Sequence, residues 1–470
     1  MTKVEKLKNN LIGDKHFYRQ VITILLPIVI QNTVSNVVSL VDNVMVGRVG
    51  TLQMSAVAIV NQLLFVFYLC IFGGLSGAGI FTSQFSGAGD KEGVKHTFRI
   101  KLIIASSILI TATLILLVFP KELIGLYLSK NSSLNDTVDT LGFATNYLYI
   151  MILGLLPFAI SQIYGSTLRE LGETKLPMFA SVIAIFINVI FNYILIFGNE
   201  GLRFLPFAPM GVVGAAIATT LSRYVEMAII LLSVHLKPKH YDFIIDIYRS
   251  FKIPLNLCKK VFKKGFPLLI NEFLWSFGMA ALMQCYSVRG IEVVAATNIS
   301  STVANIFNVI YISMGTAIAI MVGQQLGANQ PKKAKTTVWR LLTFSAVACV
   351  ITALLLFAVS SLIPAAYNTT ETVQELASKL LWIVAIAMPF NAVCHGSYFA
   401  MRSGGKTIVT LLFDSGFIWV VSYTVAFYIA HFTNLSILPF FFIIQSIEAF
   451  KSIIAVILIK SGFWLNNIVE

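Results

Sequence analysis

Five carboxylates fall inside long apolar stretches of a chain that has 470 residues and only 21 acidic side chains: Asp42, Glu226, Glu272, Asp414 and Glu448. A carboxylate in hydrocarbon must be paired, protonated or turned to water, so each marks a place that could bind a proton or a cation. Asp42 lies in SLVDNVMVGRVG. It reads as a solvated helix-end acid near Arg48 or as a cation or proton site, and the general role of intramembrane acids favours the second. Asn188 and Asn192, in IFINVIFNYILIFG, are four residues apart, so both amides share one helix face. There they either offer oxygens to a hard cation such as sodium or bridge to a neighbouring helix. Glu272, in FPLLINEFLWSFGM, is followed on roughly the same face by Trp275, Met279 and Met283. An acid beside an aromatic ring and polarisable thioethers suits a lipophilic organic cation; the alternative is an Asn271/Glu272 hydrogen bond to a neighbouring helix. Asp414 is as well placed for a buried contact to Lys, Arg or His as for transport. Glu226 follows Arg223 by three residues and Glu448 precedes Lys451 by three, so both have a local cationic partner and read as structural charges.

Catalytic motifs are missing. There is no Gly-rich phosphate loop ending in Lys-Ser/Thr, no HExxH and no GxSxG, so neither ATP drive within this chain nor enzymatic hydrolysis is expected. The five cysteines show no metal-ligand spacing and read as small buried hydrophobes. No cofactor is expected beyond a coupling ion.

The elements that must position these residues are transmembrane helices. Hydrophobic residues make up 57% of the chain and charged residues 12%, with a mean hydropathy of +0.83. A soluble domain carries about a quarter charged residues. Twelve apolar runs between residues 21 and 460 are long enough to cross a bilayer, which takes about 20 residues each. The basic, polar start MTKVEKLKNNLIGDKHFYRQ, without a small-residue cleavage site, leads to the expectation of no secretory signal peptide. With the N-terminus taken as cytoplasmic, 26 of the 34 basic residues fall in inner segments, from Lys3, Lys6, Lys8, Lys15 and Arg19 onward; the outer loops hold Arg48, Lys121, Lys130, Arg203, Arg289 and Lys379. This positive-inside pattern places a multi-pass protein in the cell membrane with both termini cytoplasmic. The formal charge of +13 is then an orientation signal rather than a nucleic-acid footprint. The expected organisation is a cytoplasmic segment 1–20, a first six-helix lobe 21–235, a cytoplasmic linker 236–261 with a stretch able to form an interfacial amphipathic helix, a second six-helix lobe 262–461 and a cytoplasmic tail 462–470.

The two lobes repeat one another. Pro27, Gly50, Gln84, Gly87 and Ala88 correspond to Pro267, Gly290, Gln324, Gly327 and Ala328 at a constant offset of 240. Arg169 and Thr174 correspond to Arg402 and Thr407 at 233, and Glu226 answers Glu448. An even number of spans per half makes these parallel repeats, with a substrate expected between them. The charges do not repeat: Asp42 faces Leu282 in this correspondence, Glu272 faces Asn32 and Asp414 faces Ser181.

Several segments carry a family resemblance. LPIVIQNTVSNVVSLVDNVMVGRVG, SQFSGAGDKEGVKHTFR, RELGETKLPM and GVVGAAIATTLSR resemble the first lobe of the MATE (multidrug and toxic compound extrusion) family. GFPLLINEFLWSFGM, GQQLGANQPKKAK and MRSGGKT resemble its second lobe. The resemblance runs from about residue 20 to 460. It implies an all-α fold of two lobes in a V, and export of cationic amphipathic organic compounds by alternating access in exchange for Na+ or H+. In the family a span-one acid acts with polar residues of spans five and six. Here these positions are Asp42, Asn188, Asn192, Ala215 and Thr219, with Na+ possible at Asp42, Asn188, Asn192 and Thr219. Many relatives carry Asp where this chain has Asn192. Some also use acids in spans seven and ten; Glu272 lies about one turn from the first of these and Asn391 replaces the second. The expected partners are the lipid bilayer and small organic cations, with no nucleic acid and no ATP, and the expected working unit is a monomer. The alternatives are a flippase of lipid-linked precursors, which would require a basic cavity where few mid-span cations exist, and an ion channel, which would require an unbroken polar stripe.

Overall fold

The computed structural model describes residues 11–128, 134–201, 206–365, 367 and 369–470; Lys3, Lys6, Lys8, Lys130 and Arg203 of the charge pattern lie outside them. Among the described residues there is no strand. The main helices are α1 (Lys15–Gly47), α2 (Thr51–Ala88), α3 (Lys91–Val118), α4 (Leu134–Leu153), α5 (Leu155–Glu170), α6 (Lys175–Gly201) and α7 (Gly211–His235). The second half supplies α8 (Leu255–Ser287), α9 (Ile291–Gly327), α10 (Pro331–Val359), α11 (Glu371–Ser403), α12 (Thr407–Phe432) and α13 (Ile437–Ser461). Among the described residues eleven helices are long and apolar enough to cross a membrane singly, and α4 with α5, bent by 43° at Gly154, brings the number to twelve. The all-α membrane fold expected from the apolar runs is the one observed. The linker differs in detail: between α7 and α8 it forms turns and a single 3₁₀ turn at Asp242–Ile244. Aromatic packing replaces helix there. Phe243 packs on Phe98, and the Tyr164 hydroxyl meets both His235 Nε2 (3.0 Å) and the Tyr248 hydroxyl. Lys91 lies against Asp242 and holds its carboxyl below the usual carboxylate range.

The chain divides into two compact units that cut across the helices: the chain up to Val29 with Ile80–Asp90 and Lys259–Glu470, and Ile30–Gly79 with Lys91–Cys258. In the first unit the repeat motif Gln-x-x-Gly acquires a physical reason. A Cβ on Gly87 would sit 1.8 Å from the Gln324 carbonyl oxygen, and one on Gly327 would sit 1.8 Å from that of Gln84. Each glycine therefore admits the other helix's backbone, and α2 and α9 cross in direct main-chain contact. The buried Gln84 amide then donates to the carbonyls of Ser403 (2.8 Å) and Asn466 (3.1 Å) and accepts from the Ile468 amide (2.8 Å). This secures the chain after α13, where Trp464 is fully buried.

Arg289, in the turn between α8 and α9, donates to four carbonyls: Leu435 (2.8 Å), Ala430 (2.9 Å), Ile429 (2.7 Å) and Thr433 (2.8 Å). These lie at the end of α12 and in the turn after it, where helix carbonyls lack intrahelical partners. Only a planar guanidinium reaches all four at once. Arg289→Lys is expected to cost about 2–3 kcal/mol in denaturant unfolding of the detergent-solubilised protein. A stability equal to wild type would show these contacts to be incidental.

Candidate functional site

The first carboxylate site is built by close packing of α6 on α7. A Cβ on Gly214 would lie 2.6 Å from the Leu195 carbonyl, and Ala215, Ala216 and Ala218 continue the small face. This approach brings polar groups of both helices together. The Asn188 amide lies 3.3 Å from Thr219 Oγ1. Asn192 donates through Nδ2 to Asp42 Oδ1 at 2.8 Å. The Asn188 amide reaches both carboxylate oxygens, 3.2 Å to Oδ1 and 3.0 Å to Oδ2, and donates to them when its nitrogen faces Asp42. Thus Asp42, Asn188, Asn192 and Thr219 form one cluster. Ala215, one turn before Thr219, is buried and contributes only its small size. Asn188 and Asn192 are 6% and 2% exposed, and Asn192 Oδ1 is buried without a hydrogen-bond partner among the described residues. Asp42 accepts from neutral amides, and no Lys, Arg or His among the described residues forms an ion pair with it. Its carboxylate therefore has amide partners and no counter-charge among the described residues.

The second half treats its carboxylates differently. Lys451 is 5% exposed and lies 3.4 Å from Asp414 Oδ1 and 3.5 Å from Glu448 Oε2. Its ammonium also stands over the Phe413 and Phe417 rings, 5.0 and 5.3 Å from their centres. Asp414 accepts from Asn271 at 3.0 Å, and Glu448 accepts from Ser422 at 2.8 Å. Asn271 also holds Ser415, whose hydroxyl donates to its side-chain oxygen at 2.8 Å. Asp414 lies in a π-helical stretch, Leu412–Gly416, and a second follows at Ile418–Tyr423. The wider winding rotates this part of α12 out of the register of an ordinary helix. The matching positions of the first half are Ser181 and Glu226, which also bond each other, with Arg169 and Arg223 within electrostatic reach. Both halves thus use this pair of positions for an internal polar link, and the second half adds a charge and its counter-charge.

The residues expected around Glu272 have differing surroundings. Glu272 is in electrostatic reach of Arg402 and Asp414. Trp275 and Met279 are 38% and 47% exposed, while Met283 packs against the buried cluster of Leu282, Ile418 and Phe440. Asn391 is half-buried on α11. Reading along the sequence did not find the Lys101–Glu170 pair. Lys101, counted there as an inner-loop cation, is fully buried, 2.5 Å from Glu170 Oε2 and within hydrogen-bond distance of Ser166 and Thr167. Its only signal was a lysine a few residues inside an apolar run.

A membrane-spanning helical protein with matched halves, an unneutralised carboxylate in one and a self-neutralised cluster in the other, has the build of a transporter. The MatE family model matches residues 27–194 and 267–428, one block in each half, and the chain belongs to that family. It is 23% identical to the probable multidrug resistance protein NorM of Thermotoga maritima, over 95% of this chain and 93% of that protein. It is 24% identical to the probable multidrug resistance protein YoeA of Bacillus subtilis, over 90% and 89%. Among solved structures it matches a MOP superfamily transporter from Pyrococcus furiosus with a TM-score of 0.84 at 18% identity, covering 96% of each chain. A variant of the Vibrio cholerae MATE transporter VcmN also matches with a TM-score of 0.84 at 18% identity, covering 95% and 97%.

Proposed function

We propose that the protein is a secondary active multidrug exporter of the cell membrane, with both termini cytoplasmic. It moves cationic amphipathic organic compounds outward in exchange for Na+ or H+ by alternating access, as a monomer and without ATP. The observation that carries this reading is the difference between the two carboxylate sites. Asp414 and Glu448 share an internal ammonium, whereas Asp42 has only amide donors. A buried carboxylate without a counter-charge is costly and gains most from an incoming proton or cation. Binding that differs between two conformations is what allows a gradient to drive them. The orphaned Asn192 oxygen, with Asn188 and Thr219 beside it, supplies the neutral oxygens that a hard monovalent cation takes. Family membership and the multidrug resistance names of the relatives support the cargo class.

The test is export of a fluorescent organic cation from proteoliposomes in which sodium and proton gradients are imposed separately. Uphill movement under at least one gradient, abolished when that gradient is collapsed, is expected. Flux that ignores both gradients and does not saturate with cargo would point to a channel and end the proposal.

A further inference from the structure

A cavity of about 960 Å³ in the first compact unit has no part in the site just described. It lies at the helix ends, between the start of α1 and the turn joining α9 to α10. Its wall carries Lys15, His16, Arg19 and Lys333, with Gln20, Gln325 and Gln330, and its floor is Ile24 and Met321. Among the described residues no acidic side chain lines it. The acids on adjoining turns are engaged elsewhere: Asp14 accepts from the Phe17 amide at 2.9 Å, and Glu470 accepts from Asn329 at 3.0 Å. Gln330 and Lys333 belong to the first turn of α10, whose N-terminus adds partial positive charge.

Below the cationic rim the surface changes character. Ile22 and Leu26 on α1, 48% and 51% exposed, continue the helix face of Lys15 and Arg19 as an apolar strip. A cationic mouth above an exposed apolar strip, at the end of membrane spans, has the two-part chemistry of a phospholipid. The mouth suits a phosphate-bearing headgroup and the strip suits its acyl chains. We infer that this cavity binds the headgroup of an anionic phospholipid, which fastens the start of α1 to the α9–α10 turn. The position at the helix ends makes the lipid a resident of the leaflet rather than a cargo. The inference is independent of what the protein exports.

The experiment uses full-length purified protein in a neutral detergent, titrated with phosphatidylglycerol, phosphatidylcholine or inorganic phosphate. Bound lipid is read by native mass spectrometry and stability by thermal midpoint. Phosphatidylglycerol should bind and raise the midpoint; phosphatidylcholine and inorganic phosphate should do neither. The triple variant Lys15→Gln, Arg19→Gln, Lys333→Gln replaces exposed side chains and should keep the lipid-free midpoint of wild type. It should bind phosphatidylglycerol roughly 100-fold more weakly, each cation at a lipid surface being worth about fivefold. A control variant, Lys237→Gln, Lys239→Gln, Lys252→Gln, removes equal charge from the linker and should bind as wild type does. Equal loss in the control would reduce the effect to overall basicity and overturn the site. Equal binding of inorganic phosphate would make it a free-anion site and overturn the lipid. Undiminished binding by the triple variant would overturn both.

Discussion

Asp42→Asn is expected to lower gradient-driven cargo flux about 100-fold while leaving the protein folded and as stable as wild type. The size follows from what a coupling residue supplies: site-to-site coupling of 1–3 kcal/mol corresponds to roughly 5–150-fold. Asparagine has the shape of aspartate and keeps an oxygen that can accept the Asn192 amide now bonded at 2.8 Å. It lacks the charge, so a proton or sodium ion no longer has a reason to prefer one conformation over the other. Stability should hold or rise slightly, because an uncompensated, half-buried charge is removed rather than created. Export by purified, reconstituted protein under each imposed gradient, alongside a thermal midpoint in detergent, separates loss of coupling from loss of fold. If the variant exported at the wild-type rate under the driving gradient, Asp42 would be only a helix-end acid and the mechanism would need another site. Glutamate at this position keeps the charge but moves it outward by one methylene, away from the place where the Asn188 and Asn192 amides converge. Intermediate flux is therefore expected for Asp42→Glu.

Much of this site was legible before any coordinates because its parts are local. Asn188 and Asn192 share a face through spacing alone, and an acid in an apolar run is conspicuous by its cost. The Gln-x-x-Gly repeat was visible as a correspondence, but its cause was not, since the close crossing of α2 and α9 is a property of two segments that lie 240 residues apart. Contacts of this kind leave no periodic trace. Likewise Lys451 was paired along the helix with Glu448, while its other partner, Asp414, is 37 residues away on α12. The winding of α12 also mattered. Its π-helical turns shift the faces on which an ordinary helical wheel would place Asp414 and the residues after it. The surroundings of the Glu272 face were not legible for a related reason. Spacing aligned Glu272, Trp275, Met279 and Met283 on one side of α8, but the side chains divide between neighbours: the acid to Arg402, Met283 to the core, and Trp275 and Met279 outward. The two compact units likewise change over inside α1 and α2, where composition shows no break.

The Asp414–Lys451–Glu448 cluster leads to the other large effect. Lys451→Met should destabilise the protein by about 3 kcal/mol, because it strands two half-buried carboxylates that now share one ammonium at 3.4 and 3.5 Å. Methionine approximates the length of the lysine stem and remains compatible with the Phe413 and Phe417 rings, so lost packing is a minor part of the cost. The decisive comparison is therefore with the double variant Lys451→Met, Asp414→Asn. Removing the second charge leaves Glu448 hydrogen-bonded to Ser422, and asparagine at 414 can still accept from Asn271. The double variant should recover more than half of the loss, and the two substitutions should be strongly non-additive. Denaturant unfolding of the four proteins in one detergent measures this directly. Additive losses would mean that Lys451 is held by packing and not by its charge partners. Recovery of stability together with wild-type export would show that the second half uses its carboxylates to hold α8, α12 and α13 together, leaving Asp42 as the carboxylate that an external cation must neutralise.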